Sequence, residues 1–432
     1  MNLPYFIARK VALNSKKSFS TVILRIAIAA IALSVSVMII ATSFVSGFKS
    51  EISEKIFGFW GHIQIIHFES NRSFEVVPIK RDTAFFNRLD TLSEISYQKP
   101  TFFLGRMLDF SQTHRSKGKI KSVQVYAEKA GIIKTKDNLE GIVLKGIGDD
   151  YNWDFFRKYL QEGEKLDLSD STMSKGILIS QQTADRLRLE VGGKLTVHFV
   201  ENNRQRVRPF TVSGIFKTGL EDYDKKFAIV DIRQIQKLNG WSENEVGGFE
   251  VFLDNIDDLD LYWKYIYEEE LDTDLFAQTI REMYPSLFGW LDLQDVNVQF
   301  ILLLMVIVAI INMTTALMIL IFERTNMIGI LKALGNTNWN IRRIFLYYAA
   351  YIIGIGLILG NFIGLSFCFL QDAFDLIQLD ESAYYVSVAP VQINWWTVLF
   401  LNIGTLIITL LAMIIPSYLV TQISPVKAVR YK

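Results

Sequence analysis

The chain is short of the residues that most often carry chemistry. Of its 432 residues one is cysteine and four are histidine. The one cysteine, Cys368, excludes a disulfide within the chain, so any folded region is held by its own packing. The histidines, His62, His67, His114 and His198, show neither HExxH nor another paired ligand spacing; His62 and His67, on one expected strand, would face opposite sides of it. A GxxxxGKS/T phosphate loop is missing, which excludes ATP binding of that kind, and so is a GxSxG nucleophile turn. No catalytic residue, no cofactor-binding residue and no metal ligand can be nominated. Net charge is lacking as well: 45 Lys and Arg balance 45 Asp and Glu, and no nucleic-acid partner is expected.

Charge is absent altogether from four long stretches: residues 26–48, 296–322, 344–371, and a run ending at Val426 whose apolar part is 395–420. About 20 apolar residues in a helix cross the hydrocarbon core of a bilayer, so each stretch is long enough to span. The first is preceded by Arg9, Lys10, Lys16, Lys17 and Arg25, as a signal peptide would be. It is longer than a signal h-region and exits through Phe44, Phe48 and Phe57, which reads as an uncleaved anchor. Basic residues flank the N-terminus, the 323–343 loop and the tail, whereas the loop after the third run carries Asp372, Asp375, Asp380 and Glu381. The positive-inside rule then puts both termini and the 323–343 loop in the cytoplasm.

The expected fold class is a membrane α-helical protein of four transmembrane helices, with a large mixed α/β extracytoplasmic domain inserted between helices 1 and 2. Its parts are a cytoplasmic amphipathic elbow helix over 1–20, spans over 21–48, 296–322, 344–371 and 395–420, and an outer domain over 49–295. A coupling helix and loop over 323–343, an outer loop over 372–394 and a tail over 421–432 complete the chain. Within the outer domain, strands are expected over 62–68, 142–147, 176–180, 194–200, 210–216, 227–230 and 249–253. Helices are expected over 181–189, 232–239, 256–270 and 274–283.

No span carries a charge, which disfavours an ion path. What the spans offer is apolar surface: Val37, Ile40, Phe44 and Phe48 on the first, and Ile301, Met305 and Val308 on the second, nominated as walls of a lipid cavity. Gly356, Gly360 and Gly364 form GxxxGxxxG in the third span, a pattern that lets helices approach closely, and Ala30/Ser34 and Ala32/Ser36 give the first span a similar spacing. Pro416 is expected to kink the fourth span. Between the second and third spans, Ile328, Leu331 and Leu334 recur at helical spacing, with Met327 and Ile330 widening the apolar face and Gly335 ending the helix.

Here a resemblance enters. Glu323-Arg324 followed by IGILKALG (328–335), together with Pro416 and the tail SPVKAVRYK (424–432), resembles the coupling segment and tail of ABC permeases of the mechanotransmission type. FDLI (374–377), YYVS (384–387), Pro390-Val391, LRLEVGGKL (187–195) and GIFKTG (214–219) with Tyr223-Asp224 are similar to the lipoprotein-releasing permease family. Asn326, where a charged residue is more usual, and VGG in place of VGD depart from the pattern, and 79–121 shows no match to a partner-binding hook.

The resemblance implies a non-catalytic permease of the bacterial inner membrane. It would bind no cofactor itself and would rely on ATP and magnesium in a partner cytoplasmic ABC ATPase dimer. Glu323, Arg324, Met327, Ile328, Gly329, Leu331, Lys332, Leu334 and Gly335 would couple to that ATPase, and Ile328→Asp or Leu331→Asp would uncouple it while leaving insertion intact. The further partners implied are a second permease copy or homologue, a lipoprotein substrate, a periplasmic lipoprotein carrier and membrane lipid. Roughly three acyl chains of about 15 carbons represent on the order of 35 kcal/mol of apolar transfer, at about 0.8 kcal/mol per methylene. That exceeds the roughly 18–21 kcal/mol at which non-covalent affinities saturate, so such chains must slide between apolar environments and cannot be passed through water. The same superfamily includes division-type signalling permeases that regulate cell-wall hydrolases, whose outer domains are shorter, and efflux permeases that carry a fused ATPase. A membrane-anchored sensor could also show four spans, but would not need the capped helix between basic flanks.

Overall fold

Residues 19–70, 76–92, 95–103, 106–135, 138–169, 172–201 and 204–423 are described by a computed structural model of the chain. The tail motif 424–432 and all of the expected elbow helix except residues 19–20 lie outside them. Among the described residues, four helices are long and apolar enough to cross a membrane: Val22–Trp60, Pro285–Glu323, Asn338–Phe374 and Trp395–Gln422. The first three run well beyond the uncharged stretches. The first helix, Phe19–Trp60, has 42 residues and so extends about 63 Å at 1.5 Å per residue. Lys49, Glu51, Glu54 and Lys55 end the uncharged run without ending the helix, because charged side chains are good helix formers; the turn comes at Gly61, whose φ of +74° a side chain would resist. Pro285 opens the second helix at the one position where a missing N–H does no harm. Thr337 caps the third, accepting from Asn340 N, and Asn394 caps the fourth, accepting from Trp396 N and Thr397 N. The fourth breaks at Met413 and Tyr418 into the short helices Ile414–Ser417 and Leu419–Gln422 around Pro416.

The described chain divides into two compact units. The helical unit holds residues up to 51, 289–379 and from 388 on; the sheet unit holds 52–288 and 380–387. Part of the expected 372–394 outer loop thus belongs with the sheet.

In the helical unit, the third helix meets the first at its glycines. A Cβ on Gly356 would stand 2.7 Å from Ile31 Cγ2, one on Gly360 2.8 Å from the Ala32 carbonyl oxygen, and one on Gly364 3.1 Å from Ser36 Cα. The third and fourth helices share a reciprocal amide pair, Asn361 Nδ2 donating to Asn402 Oδ1 at 2.6 Å and Asn402 Nδ2 to Asn361 Oδ1 at 2.9 Å. Gln371, fully buried, ties the outer loop together: its amide donates to Ala389 O and its oxygen accepts from Ile377 N.

In the sheet unit, ten described strands form one mixed sheet. Its order is Leu275–Thr279, Ile63–His67, Gly248–Leu253, Ile120–Lys134, Leu139–Ile147, Phe227–Asp231, Gly176–Ser180, Arg204–Phe216 and Leu160–Gly163, with Lys194–Glu201 pairing both Arg204–Phe216 and Ile120–Lys134. Helices such as Thr83–Thr91, Ile232–Asn239 and Leu259–Tyr265 pack on it through Phe85, Leu89, Ile235, Leu259 and Tyr262, all in one core with the strands.

Two expectations fail here. The helix expected over 274–283 is an edge strand, Leu275–Thr279, followed by the short helix Ile280–Met283. A capping box of Thr279 and Glu282 marks the switch, and Ala277 and Thr279 alternate inward as a strand requires. The helix expected over 256–270 is three pieces, a 3₁₀ turn Ile256–Asp258, an α-helix Leu259–Tyr265 and a π turn Ile266–Glu270.

Candidate functional site

The segment between the second and third long helices is a nine-residue helix, Thr325–Ala333. Arg324, with φ −96° and ψ 15°, separates it from the helix before. Its end is a Schellman cap: Asn336 N donates to Leu331 O, Gly335 N donates to Lys332 O, and Gly335 has φ +85°.

The apolar face read from the sequence divides in two. Ile328 is fully buried and Gly329 is buried, while Met327 and Leu331 pack against the same helical core. Ile330 and Leu334 point the other way, 54% and 79% exposed. With Asn326 and Ala333, also exposed, they form a stripe at i, i+4, i+7 and i+8. Glu323 and Gly335 are exposed as well, and Arg324 is half-buried. Lys332 is occupied: its ammonium donates to Thr421 O at 3.2 Å and Ile423 O at 2.8 Å, closing the C-terminal end of Leu419–Gln422. Arg342, on the third helix, donates to Ser417 Oγ and Ile414 O and lies over the rings of Trp339 and Tyr418. The short helix is therefore bolted to the break in the fourth helix by Lys332 and seated by Ile328, and the third helix is tied to the same break by Arg342. Ile328→Asp would put a carboxylate into a closed core, so this position reports on packing as well as on any coupling.

The nominated cavity residues are dispersed. Ile40 and Met305 pack against the helical core, and Phe44 stands 6.4 Å from the Phe367 ring. Val37, Phe48 and Val308 are half-buried, and Ile301 is exposed. Around Ile301 the second helix also exposes Val296, Phe300, Leu303, Leu304, Ile307 and Ile311, an apolar surface along one side of it.

The sheet unit contains a feature the sequence did not announce. Gln278, Gln64, Glu250 and Gln124 stand opposite one another on four adjacent strands. Gln64, Glu250 and Gln124 are at most 2% exposed. Lys145, fully buried, pairs with Glu250 at 2.7 Å, donates to Phe59 O, and lies 4.6 Å from the Trp60 ring centroid. Burial pushes the Glu128 carboxyl, the register partner of Lys145, up to about 7. Burial likewise pulls His62 down to about 4, and its Nδ1 accepts from Leu253 N.

Two family models match the chain: a MacB-like periplasmic core domain over residues 25–260 and an FtsX-like permease C-terminal region over 299–425. A core domain of the first kind followed by a C-terminal region of the second defines a class, the FtsX- and MacB-type permeases. The chain is 22% identical to the lipoprotein-releasing system transmembrane protein LolC of Neisseria meningitidis, over 100% of this chain and 98% of that one. It is 25% identical to LolE of the corresponding system of Haemophilus influenzae, over 98% of each chain. The extracellular domain of a noncanonic ABC-type transporter from Gram-positive bacteria aligns with 50% of this chain and 99% of its own length, at 15% identity and a TM-score of 0.32. The chain belongs to the family with a MacB-like periplasmic core domain, and relatives aligned over nearly its whole length are lipoprotein-releasing system transmembrane proteins.

Proposed function

We propose that this chain is the membrane subunit through which a separate cytoplasmic ATPase, using ATP and magnesium, releases lipoproteins from the inner membrane toward a periplasmic carrier. The observation that carries the reading is the exposed stripe of Ile330 and Leu334 on a helix otherwise fixed by Ile328, Lys332 and the Gly335 cap. Two large apolar side chains held outward on a rigid element suit a groove on a partner protein. In this reading the loop is cytoplasmic, as its basic flanks suggest, both termini lie on the same side, and the sheet domain, inserted between the first and second spans, is periplasmic. The uncovered surface of the second helix around Ile301, with the half-buried Met305 and Val308 beside it, and the half-buried Val37, Ile40, Phe44 and Phe48 of the first would admit acyl chains sideways from the bilayer. A second copy or homologue would supply the opposite wall.

The test is co-purification of the ATPase with Ile330→Asp/Leu334→Asp. Burying each side chain is worth about 1.5–3 kcal/mol, so the double change weakens binding by about two to four orders of magnitude, while insertion and the thermal transition stay as in the wild type. Retention of a tagged outer-membrane lipoprotein in the inner membrane should accompany the loss. ATPase recovered at wild-type yield with the double variant would refute the docking face. Normal lipoprotein sorting after depletion of the chain would refute the release function.

A further inference from the structure

Independently of the coupling reading, the sheet unit holds a cavity of about 520 Å³, within the range of small-molecule sites. Its walls are aromatic: Trp60 lies 6.0 Å from Tyr223 and 5.0 Å from Phe227, Tyr223 lies 5.6 Å from Tyr284, and Tyr126 closes one side. Glu128 lines it from the same strand face as Tyr126. Of the neighbouring charges, Lys145 acts on Glu128 but makes its ion pair with Glu250, and Asp222 and Lys226, both exposed, face each other at 3.8 Å. Among the described residues the Glu128 carboxylate makes no ion pair or hydrogen bond. The indole N–H of Trp60 and the hydroxyls of Tyr223 and Tyr284 face one another in the walls, and the first two, on side chains 2% and 5% exposed, reach no partner at full hydrogen-bond geometry among the described residues.

A carboxylate in an aromatic enclosure selects a cation, and two buried donors beside it select an acceptor. We propose that this cavity binds a small organic ammonium that also carries a hydrogen-bond acceptor, the chemistry of an amino-alcohol phosphate, free or as the headgroup of an aminophospholipid. The ammonium lies against Glu128 and the ring faces, and the acceptor oxygen takes the Trp60 and Tyr223 protons. Water alone could satisfy the two donors but would show no preference for a cation.

The full-length chain in detergent is titrated calorimetrically with phosphoethanolamine and with propyl phosphate, which has the same length and no ammonium. Saturable binding of phosphoethanolamine is expected, at least about tenfold weaker for propyl phosphate and for Glu128→Gln, and severalfold weaker for Tyr223→Phe. Native mass spectrometry after extraction from aminophospholipid bilayers separates the sources. Lipid retained by the wild type and lost from Glu128→Gln identifies a headgroup; phosphoethanolamine binding without retained lipid identifies a free ligand. No saturable binding and no retained lipid, equal binding of the two phosphates, or lipid retained equally by Glu128→Gln would overturn the proposal. The propyl phosphate comparison and Tyr223→Phe, which removes one hydroxyl, keep the test decisive if Glu128→Gln does not fold.

Discussion

Large apolar side chains are treated in opposite ways by the two units. In the sheet unit Phe59, Phe156, Phe199, Phe210, Phe216 and Phe249 are all less than 2% exposed, whereas in the helical unit Phe300, Phe362, Trp396 and Ile415 are 67–81% exposed. The first pattern is what water imposes and the second is what a bilayer permits, since lipid tails are as apolar as the side chains they meet. Cohesion therefore has different sources. The sheet unit gains from burying aromatic bulk and can carry a charged pair such as Lys145–Glu250 inside it. The helical unit, without that drive, relies on close backbone approach at Gly356, Gly360 and Gly364 and on the Asn361–Asn402 amides.

That contrast can be broken from either side. The largest effect is expected from Lys145→Met, which strands Glu250 and should cost about 3–5 kcal/mol in the sheet unit's thermal transition, most of it recovered by adding Glu250→Met. A single variant as stable as the wild type would mean that the pair is not closed off from water. Gly360→Leu comes next: the overpacking should cost about 1–3 kcal/mol and appear as reduced yield and lower melting of the detergent-solubilised chain, with the sheet unit's own transition unmoved. Coincident loss of both transitions would argue against separate sources of cohesion.

The smallest effect is a pH dependence confined to the sheet unit. Glu128 has its carboxyl raised from 4.5 to about 7, so its contribution is fully present below pH 4.5 and is lost as pH rises through 7. His62 is lowered from 6.5 to about 4, so its contribution is present above pH 6.5 and is lost as pH falls through 4. Relative to the wild type, Glu128→Gln should thus melt progressively higher as pH rises from 4.5 to 7, and His62→Gln progressively higher as pH falls from 6.5 to 4. Parallel melting-temperature curves would show that neither group is perturbed.

How far the sequence could be read follows the same divide. Uncharged runs locate the four long helices, because a bilayer excludes charge whatever the surroundings; they do not locate helix ends, because Lys49 and Glu51 are as helical as their neighbours and the stop waits for Gly61. In the sheet unit, Gly176–Ser180 and Ile232–Asn239 have the bounds expected, each a short periodic segment with a capping side chain, Ser180 and Asp231, at its junction. The long central strand Ile120–Lys134 was missed because Lys121, Glu128 and Lys129 interrupt its apolar alternation. Of those, Glu128 turns to the cavity, which no local pattern reveals. The helix Thr325–Ala333 was legible as an amphipathic segment, but Ile328 and Ile330 differ by only two positions, and which face is covered depends on helices that no local pattern brings together.

The short stretch 380–387 carries a consequence for how the protein is made. Lys55 donates to the Tyr385 carbonyl at 2.9 Å, across 330 positions of chain, and Lys217 pairs with Glu381 at 2.5 Å. Both lysines belong to the sheet unit, whose main body ends at residue 288. During synthesis that body emerges well before the segment that completes it, and the third long helix must be made in between. Until residue 387 has left the ribosome, Lys55 and Lys217 lack these partners, so the last step in finishing the sheet unit awaits the membrane helix that precedes its closing strap.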